Sequence, residues 1–143
     1  MESIYLGCDH AGFSLKEILK EELLSLDYQV YDCGTNSTAS CDYPLIAQNL
    51  CAEMQKNPDS LGVLVCGTGI GMSMVANRQA HIRAAICTHE WQARFSREYY
   101  KANVLCLGSR MTGVELAKII LKQFLNTKFD QKNEALVKKI KAV

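Results

Sequence analysis

Several things are scarce or missing in this chain, and each absence closes off a class of function. There are only 2 prolines and 1 tryptophan, and no Pro-rich, Ser-rich or Gly/Ser tract that reads as a linker or a disordered segment. Neither sign of charge dominates. Lys and Arg total 16 against 15 Asp and Glu, and the basic residues are dispersed apart from KKIK at 138–141. A nucleic-acid surface is therefore not expected. No apolar run reaches the length of a membrane span, so no membrane partner is expected either. The start, MESIYLGCDH, has no basic leader or cleavage site and reads directly as a first strand, which makes the expected location cytoplasmic.

Cysteine is abundant, with 7 residues at 8, 33, 41, 51, 66, 87 and 106, yet no C-x-x-C pair occurs and the total is odd. No Cys/His cluster has zinc-ligand spacing, so no metal is expected. Most of these thiols read as small buried hydrophobes in a reducing compartment. At 143 residues, with 48% apolar and 22% charged residues, the chain suits one domain spanning 1–143. It is too short for separate cofactor and substrate domains.

What is present alternates. SIYLGC, YQVYDCG, LGVLVC, IRAAICT and NVLCLGS read as strands, and LGVLVC is apolar throughout, as in a parallel strand covered on both faces. Between them lie helical patterns. FSLKEILKEELLSL places Phe13, Leu15, Ile18, Leu19, Leu23 and Leu26 near helical spacing, and PLIAQNLCAEMQK opens with a proline suited to a first turn. Further helices are expected from the glycine loop to about Asn77, from about His89 to Tyr100 and from Gly113 to Phe124, with a final helix over about 128–143. Strands alternating with helices imply βαβ units, and hence an α/β sandwich with a parallel sheet of about five strands. Ligands of such sheets bind beyond the carboxyl ends of the strands, where Asp9, His10, Cys66, Thr68, Ser109 and Arg110 all fall.

The densest signal is CGTGIG at 66–71. It is not a dinucleotide fingerprint: the spacing is wrong, it follows the third strand, and no acidic residue occupies the next eighteen positions. The Lys-Ser/Thr ending of a phosphate-binding P-loop is also missing. A loop of this kind opens backbone N–H groups toward an anion at a helix start, though a plain tight turn would use the same glycines. Cys66 at the strand end shifts the balance toward chemistry, because a helix N-terminus favours the thiolate. Thr68 can donate to a developing oxyanion or simply bond its own turn. His10 suits phosphate or acid–base work, Asp9 a sugar hydroxyl or a helix cap, and Arg110 a phosphate. His81 and His89 read as loop or helix-start residues.

Taken together, GCDHAGFSLKE, DYP, VLVCGTGIGMS, AN, IRAA, the SRE segment and NVLCLGSR resemble the ribose-5-phosphate isomerase B family, which includes the subunits of galactose-6-phosphate isomerase. The resemblance runs from about Ile4 to Phe124. It implies a Rossmann-like three-layer fold, a homodimer or dimer of dimers with sites at the interface, and cofactor-free aldose–ketose isomerisation of a phosphorylated sugar in the pentose phosphate pathway. Carried onto this chain, Cys66 is the base moving a proton between C2 and C1. Thr68 and the N–H groups of Gly67, Gly69, Ile70 and Gly71 stabilise the enediolate. Asp9 and Tyr43 touch sugar hydroxyls, and His10 and Arg110 hold phosphate.

The chain departs from its relatives in three places. Where some relatives carry a glutamate base after the loop, it has Met72. Where many carry a His-Asn pair that helps ring opening, it has Tyr99 and Tyr100, which remain hydrogen-bond donors to substrate. Where relatives supply two arginines in the tail it has none, leaving Lys132, Lys138 or Lys139 as point charges. The readings set beside a ribose-5-phosphate isomerase are therefore an isomerase of another aldose phosphate, such as a six-carbon one, and a non-catalytic sugar-phosphate-binding subunit of a hetero-oligomer.

Overall fold

The computed structural model describes residues 2–140. Five strands, β1 (Ser3–Cys8), β2 (Gln29–Asp32), β3 (Leu61–Cys66), β4 (Ala84–Ile86) and β5 (Val104–Gly108), form one sheet in the order β2-β1-β3-β5-β4. Every neighbouring pair is parallel. The connections are α1 (Phe13–Ser25), α2 (Tyr43–Gln55), α3 (Ile70–Ala76) and α4 (Glu90–Glu98), and α5 (Val114–Asn126) follows β5. This is the expected α/β architecture.

Alternation along the strands divides the core in two, because successive side chains of a strand point to opposite faces. Ile4, Leu6, Val63, Val65, Leu105 and Leu107 pack with Leu15, Leu19 and Leu23 of α1 and with Ala117, Ile120 and Phe124 of α5. Tyr5, Leu64, Cys66, Val104 and Cys106 face the other way, onto α2 and α3 through Leu50, Cys51, Met54 and Met72. The layers are thus helix, sheet, helix, with β1, β3 and β5 covered on both sides.

Several expectations shift at the edges. In α1, Lys16 is fully buried while Leu26, counted with the apolar face, is 44% exposed at the C-cap. IRAAICT pairs as only three residues, Ala84–Ile86. There Asn77 stands in for a further strand: its Oδ1 accepts from the Ala84 N–H at 2.8 Å and its Nδ2 donates to the Ala84 carbonyl at 2.9 Å, blunting that edge. The tail forms a short 3₁₀ turn, Gln131–Asn133, and α6 (Glu134–Ile140). The expected final helix is therefore shorter at its start, and 141–143 lie outside the described residues. No helix among those residues is long and apolar enough to cross a membrane.

Candidate active site

Strand order locates the site. From β1 the chain first moves outward to β2, then crosses back to place β3 on the other side of β1. The crevice beyond the carboxyl ends of β1 and β3 is therefore the topological switch point, where open α/β sheets bind ligands. Register levels the key residues: Cys8 pairs with Val65 and Cys66 pairs with Gly108. Asp9, Cys66 and Ser109 consequently leave three adjacent strands at neighbouring heights.

Backbone bonds tie the three exit loops together. The Asp9 N–H donates to the Val65 carbonyl at 3.2 Å, the Ser109 N–H to the Cys66 carbonyl at 2.8 Å, and the Arg110 N–H to the Gly67 carbonyl at 3.0 Å. Ser109 Oγ donates to the Ala11 carbonyl at 2.8 Å. The result is an open cleft of about 490 Å³, within the usual range for small-molecule sites.

Cys66 forms its floor and is only 5% exposed. The Gly69 N–H donates to Cys66 Sγ at 3.1 Å. Gly69 sits at φ +80°, a conformation that suits glycine, and this turns its N–H back toward the sulfur. A helix start was expected to favour the thiolate. Since α3 spans seven residues, its dipole is small, and the amide is the direct donor. Burial pushes Cys8, Cys33 and Cys87 up to about 11, and Cys106 well above the ordinary range. Cys8, Cys87 and Cys106 are buried, inert cysteines of the kind the sequence predicts.

Around Cys66 stand Asp9, His10, Tyr43, Thr68, Ile70 and Arg110. Asp9 is buried and its Oδ1 accepts from the Gly12 N–H at 3.0 Å, so it shapes the turn into α1 while still lining the cleft. Thr68 Oγ1 accepts from the Ile70 N–H at 3.2 Å, which leaves its hydroxyl proton available to a ligand. Two loop amides expected to face an enediolate, those of Gly69 and Ile70, are thus already engaged with Cys66 and Thr68. Gly71 admits the Tyr43 ring: a Cβ there would lie 2.6 Å from Tyr43 Cε1. Gly67 likewise lies under the Arg110 side chain, with Nη1 3.4 Å from where its Cβ would be. His10 is held from the far side by the Cys41 N–H, which donates to Nδ1 at 3.4 Å.

Ala11 and Met74 also line the cleft and were not expected there. Met74 stands one helical turn beyond Ile70, so the i, i+4 spacing of two exposed apolar residues on α3 was the available signal. Met72, the position of a glutamate in some relatives, is buried in the core. His81 has the structural role expected, with Nε2 2.7 Å from the Cys51 carbonyl.

Tyr99 and Tyr100 do not line this cleft in their own chain. Helices in such units run back against the strands, so α4 leaves the cleft end of the sheet and carries these tyrosines about 13 Å toward the opposite end. They finish an exposed aromatic row in which Trp91, Phe95, Tyr99 and Tyr100 contact one another in sequence. Among the described residues no group of three or more His, Cys, Asp or Glu is placed to hold a metal ion.

Comparison with known proteins gives these features a lineage. A family model described as Ribose/Galactose Isomerase matches residues 4–141. The chain is 39% identical to ribose-5-phosphate isomerase B of Escherichia coli over 91% of this chain and 87% of that one. It is 35% identical to a galactose-6-phosphate isomerase subunit of Clostridium acetobutylicum, over 96% and 80% respectively. Among solved structures, a ribose 5-phosphate isomerase from Thermotoga maritima superposes with a TM-score of 0.95 at 43% identity, covering 99% of each chain. Matched in sequence and in backbone along nearly its whole described length, the chain belongs to the Ribose/Galactose Isomerase family.

Proposed function

We propose that this protein is a ribose-5-phosphate isomerase that interconverts ribose 5-phosphate and ribulose 5-phosphate, with Cys66 as the base. The observation that carries the reading is the Cys66 sulfur on the cleft floor, accepting the Gly69 N–H and faced by Asp9, Thr68 and Arg110. Proton abstraction beside a carbonyl requires a positioned base and donors for the oxygen that gains charge. In the open-chain aldose, the Cys66 thiolate takes the C2 proton. The C–H electron pair becomes the C1–C2 double bond, and the carbonyl electrons move onto O1. Thr68 donates to the developing enediolate oxygen. The Cys66 thiol exchanges its proton with water and then delivers a proton to C1 as the O2 proton passes to O1, so composition is unchanged and the thiolate is regenerated. Asp9 and Tyr43 hold sugar hydroxyls, and His10 and Arg110 hold the phosphate, Arg110 through a charge-assisted fork.

The active form in this reading is a homodimer or dimer of dimers. Tyr99 and Tyr100 do not line the cleft of their own chain, and in this reading a second copy presents them to its partner's site. Phosphate contacts supplied elsewhere by tail arginines fall in the same way to Lys132, Lys138 or Lys139.

Turnover in deuterium oxide tests the chemistry. Ribulose 5-phosphate formed by the wild-type chain is expected to carry deuterium at C1, and Cys66→Ala is expected to form none. Turnover by folded Cys66→Ala at the wild-type rate, with deuterium still entering C1, would remove the base role.

A further inference from the structure

Lys16 is fully buried, which is rare for a lysine unless it is paired. Its Nζ donates to Asp32 Oδ1 at 3.0 Å, to Asp32 Oδ2 at 2.8 Å and to the Thr35 carbonyl at 2.8 Å, and it lies 3.3 Å from Glu17 Oε2. Asp32 also accepts from the Gly34 N–H at 2.8 Å and from Lys20 at 3.1 Å. The segment so held runs alongside the end of β1. The Cys33 N–H donates to the Leu6 carbonyl, the Cys8 N–H to the Gly34 carbonyl and the Thr35 N–H to the Cys8 carbonyl, all at 2.7–2.8 Å.

Both ends of this junction lead to the cleft. β1 continues into Asp9 and His10, while the segment after Thr35 leads to Cys41, whose N–H meets His10 Nδ1, and on to Tyr43. A ring nitrogen that accepts an N–H carries no proton, so the tautomer that fits this contact has its proton on Nε2.

Resting on the isomerase reading above, we propose that Lys16 is a positioning residue: through Asp32 and Thr35 it anchors the 33–42 loop, whose Cys41 N–H fixes the His10 tautomer and ring orientation. Lys16 touches no cleft residue itself and acts only through this loop. Burial pulls the Lys16 ammonium down and pushes the Asp32 carboxyl up, but their mutual hydrogen bonds reverse both, leaving Lys16 above and Asp32 below its ordinary value. The pair is therefore charged around neutrality. Lys20 shares Asp32 yet has no bond to Thr35 given by the structure, which makes it the natural control.

The test is long-range ¹H–¹⁵N NMR of histidine-labelled protein, with His10 assigned through His10→Asn, alongside steady-state kinetics with ribose 5-phosphate. The wild type is expected to show the Nε2–H tautomer at His10. Lys16→Met is expected to show mixed tautomers and about a tenfold lower kcat/KM, with Lys20→Met unchanged in both. Where Lys16→Met does not fold, Asp32→Asn reads the same link and is expected to move both signals the same way. A folded Lys16→Met or Asp32→Asn with the wild-type ring signature and kinetics overturns the proposal. The ring signature needs no substrate, so a wild-type chain inactive on ribose 5-phosphate would count against the isomerase reading alone, and the tautomer would still decide this one.

Discussion

Gly69 donates its N–H to the sulfur of Cys66 at 3.1 Å, inside a cleft where Cys66 is 5% exposed. The four thiols that burial pushes up, Cys8, Cys33, Cys87 and Cys106, stay protonated at neutral pH. Iodoacetamide at pH 7.5 (about 1 unit below the free cysteine value) is therefore expected to modify Cys66 first, and ribose 5-phosphate to protect it. Peptide mass mapping against time checks the order. First labelling at Cys41 or Cys51 would contradict it.

Gly71 and Tyr43 form a contact that no side chain at 71 can share, since a Cβ would lie 2.6 Å from the Tyr43 ring. Gly71→Ala suits α3 as a helix former but must push the ring aside. A displaced substrate contact of this kind is expected to lower kcat/KM by roughly ten- to a hundredfold. In a Tyr43→Ala background the same change should have little further effect, the non-additivity expected of residues in contact. Equal losses in both backgrounds would break the link.

Arg110 leans over Gly67 with its guanidinium in the cleft. A charge-assisted phosphate contact is worth about 1.5–3 kcal/mol, so Arg110→Ala is expected to raise KM by about tenfold or more while kcat falls less. An unchanged KM would remove Arg110 from the site.

The Lys16–Asp32 pair sets a pH window for stability. The Asp32 carboxyl is depressed in the folded chain. Its contribution is present above the unfolded value of about 3.9 and is lost as pH falls through the folded value. Lys16 is raised, so its contribution is present below about 10.4 and is lost as pH rises through its folded value. The Tm deficit of Asp32→Asn is thus expected to be flat between about pH 5 and 9 and to shrink on acidification below about 4. A deficit that persists unchanged at pH 2 would contradict the ion-pair account.

How much of this was readable in the residues follows from which forces are local. LGVLVC at 61–66 is buried at every position, and its unbroken apolar run announced a central parallel strand. The strand ends and glycine loop then put Asp9, Cys66, Thr68 and Arg110 together, because parallel topology leaves few ways for the exits to meet. Lys16 was not readable: a lysine within FSLKEILK looks like a solvated position, and its burial depends on an acid sixteen residues away. Nor was the shortening of IRAAICT, since Asn77 occupies the outer edge through side-chain bonds with Ala84. Tyr99 and Tyr100 were legible as departures from relatives. Their distance from their own cleft required the direction of α4, which is a property of the assembled sheet.

The most direct measurement is turnover of ribose 5-phosphate to ribulose 5-phosphate by the purified chain, beside its Cys66→Ala variant. Activity in the wild type that disappears in a folded Cys66→Ala protein is the predicted result. Equal activity in both would contradict Cys66 as the base, and a folded wild-type chain with no turnover would contradict the assigned substrate.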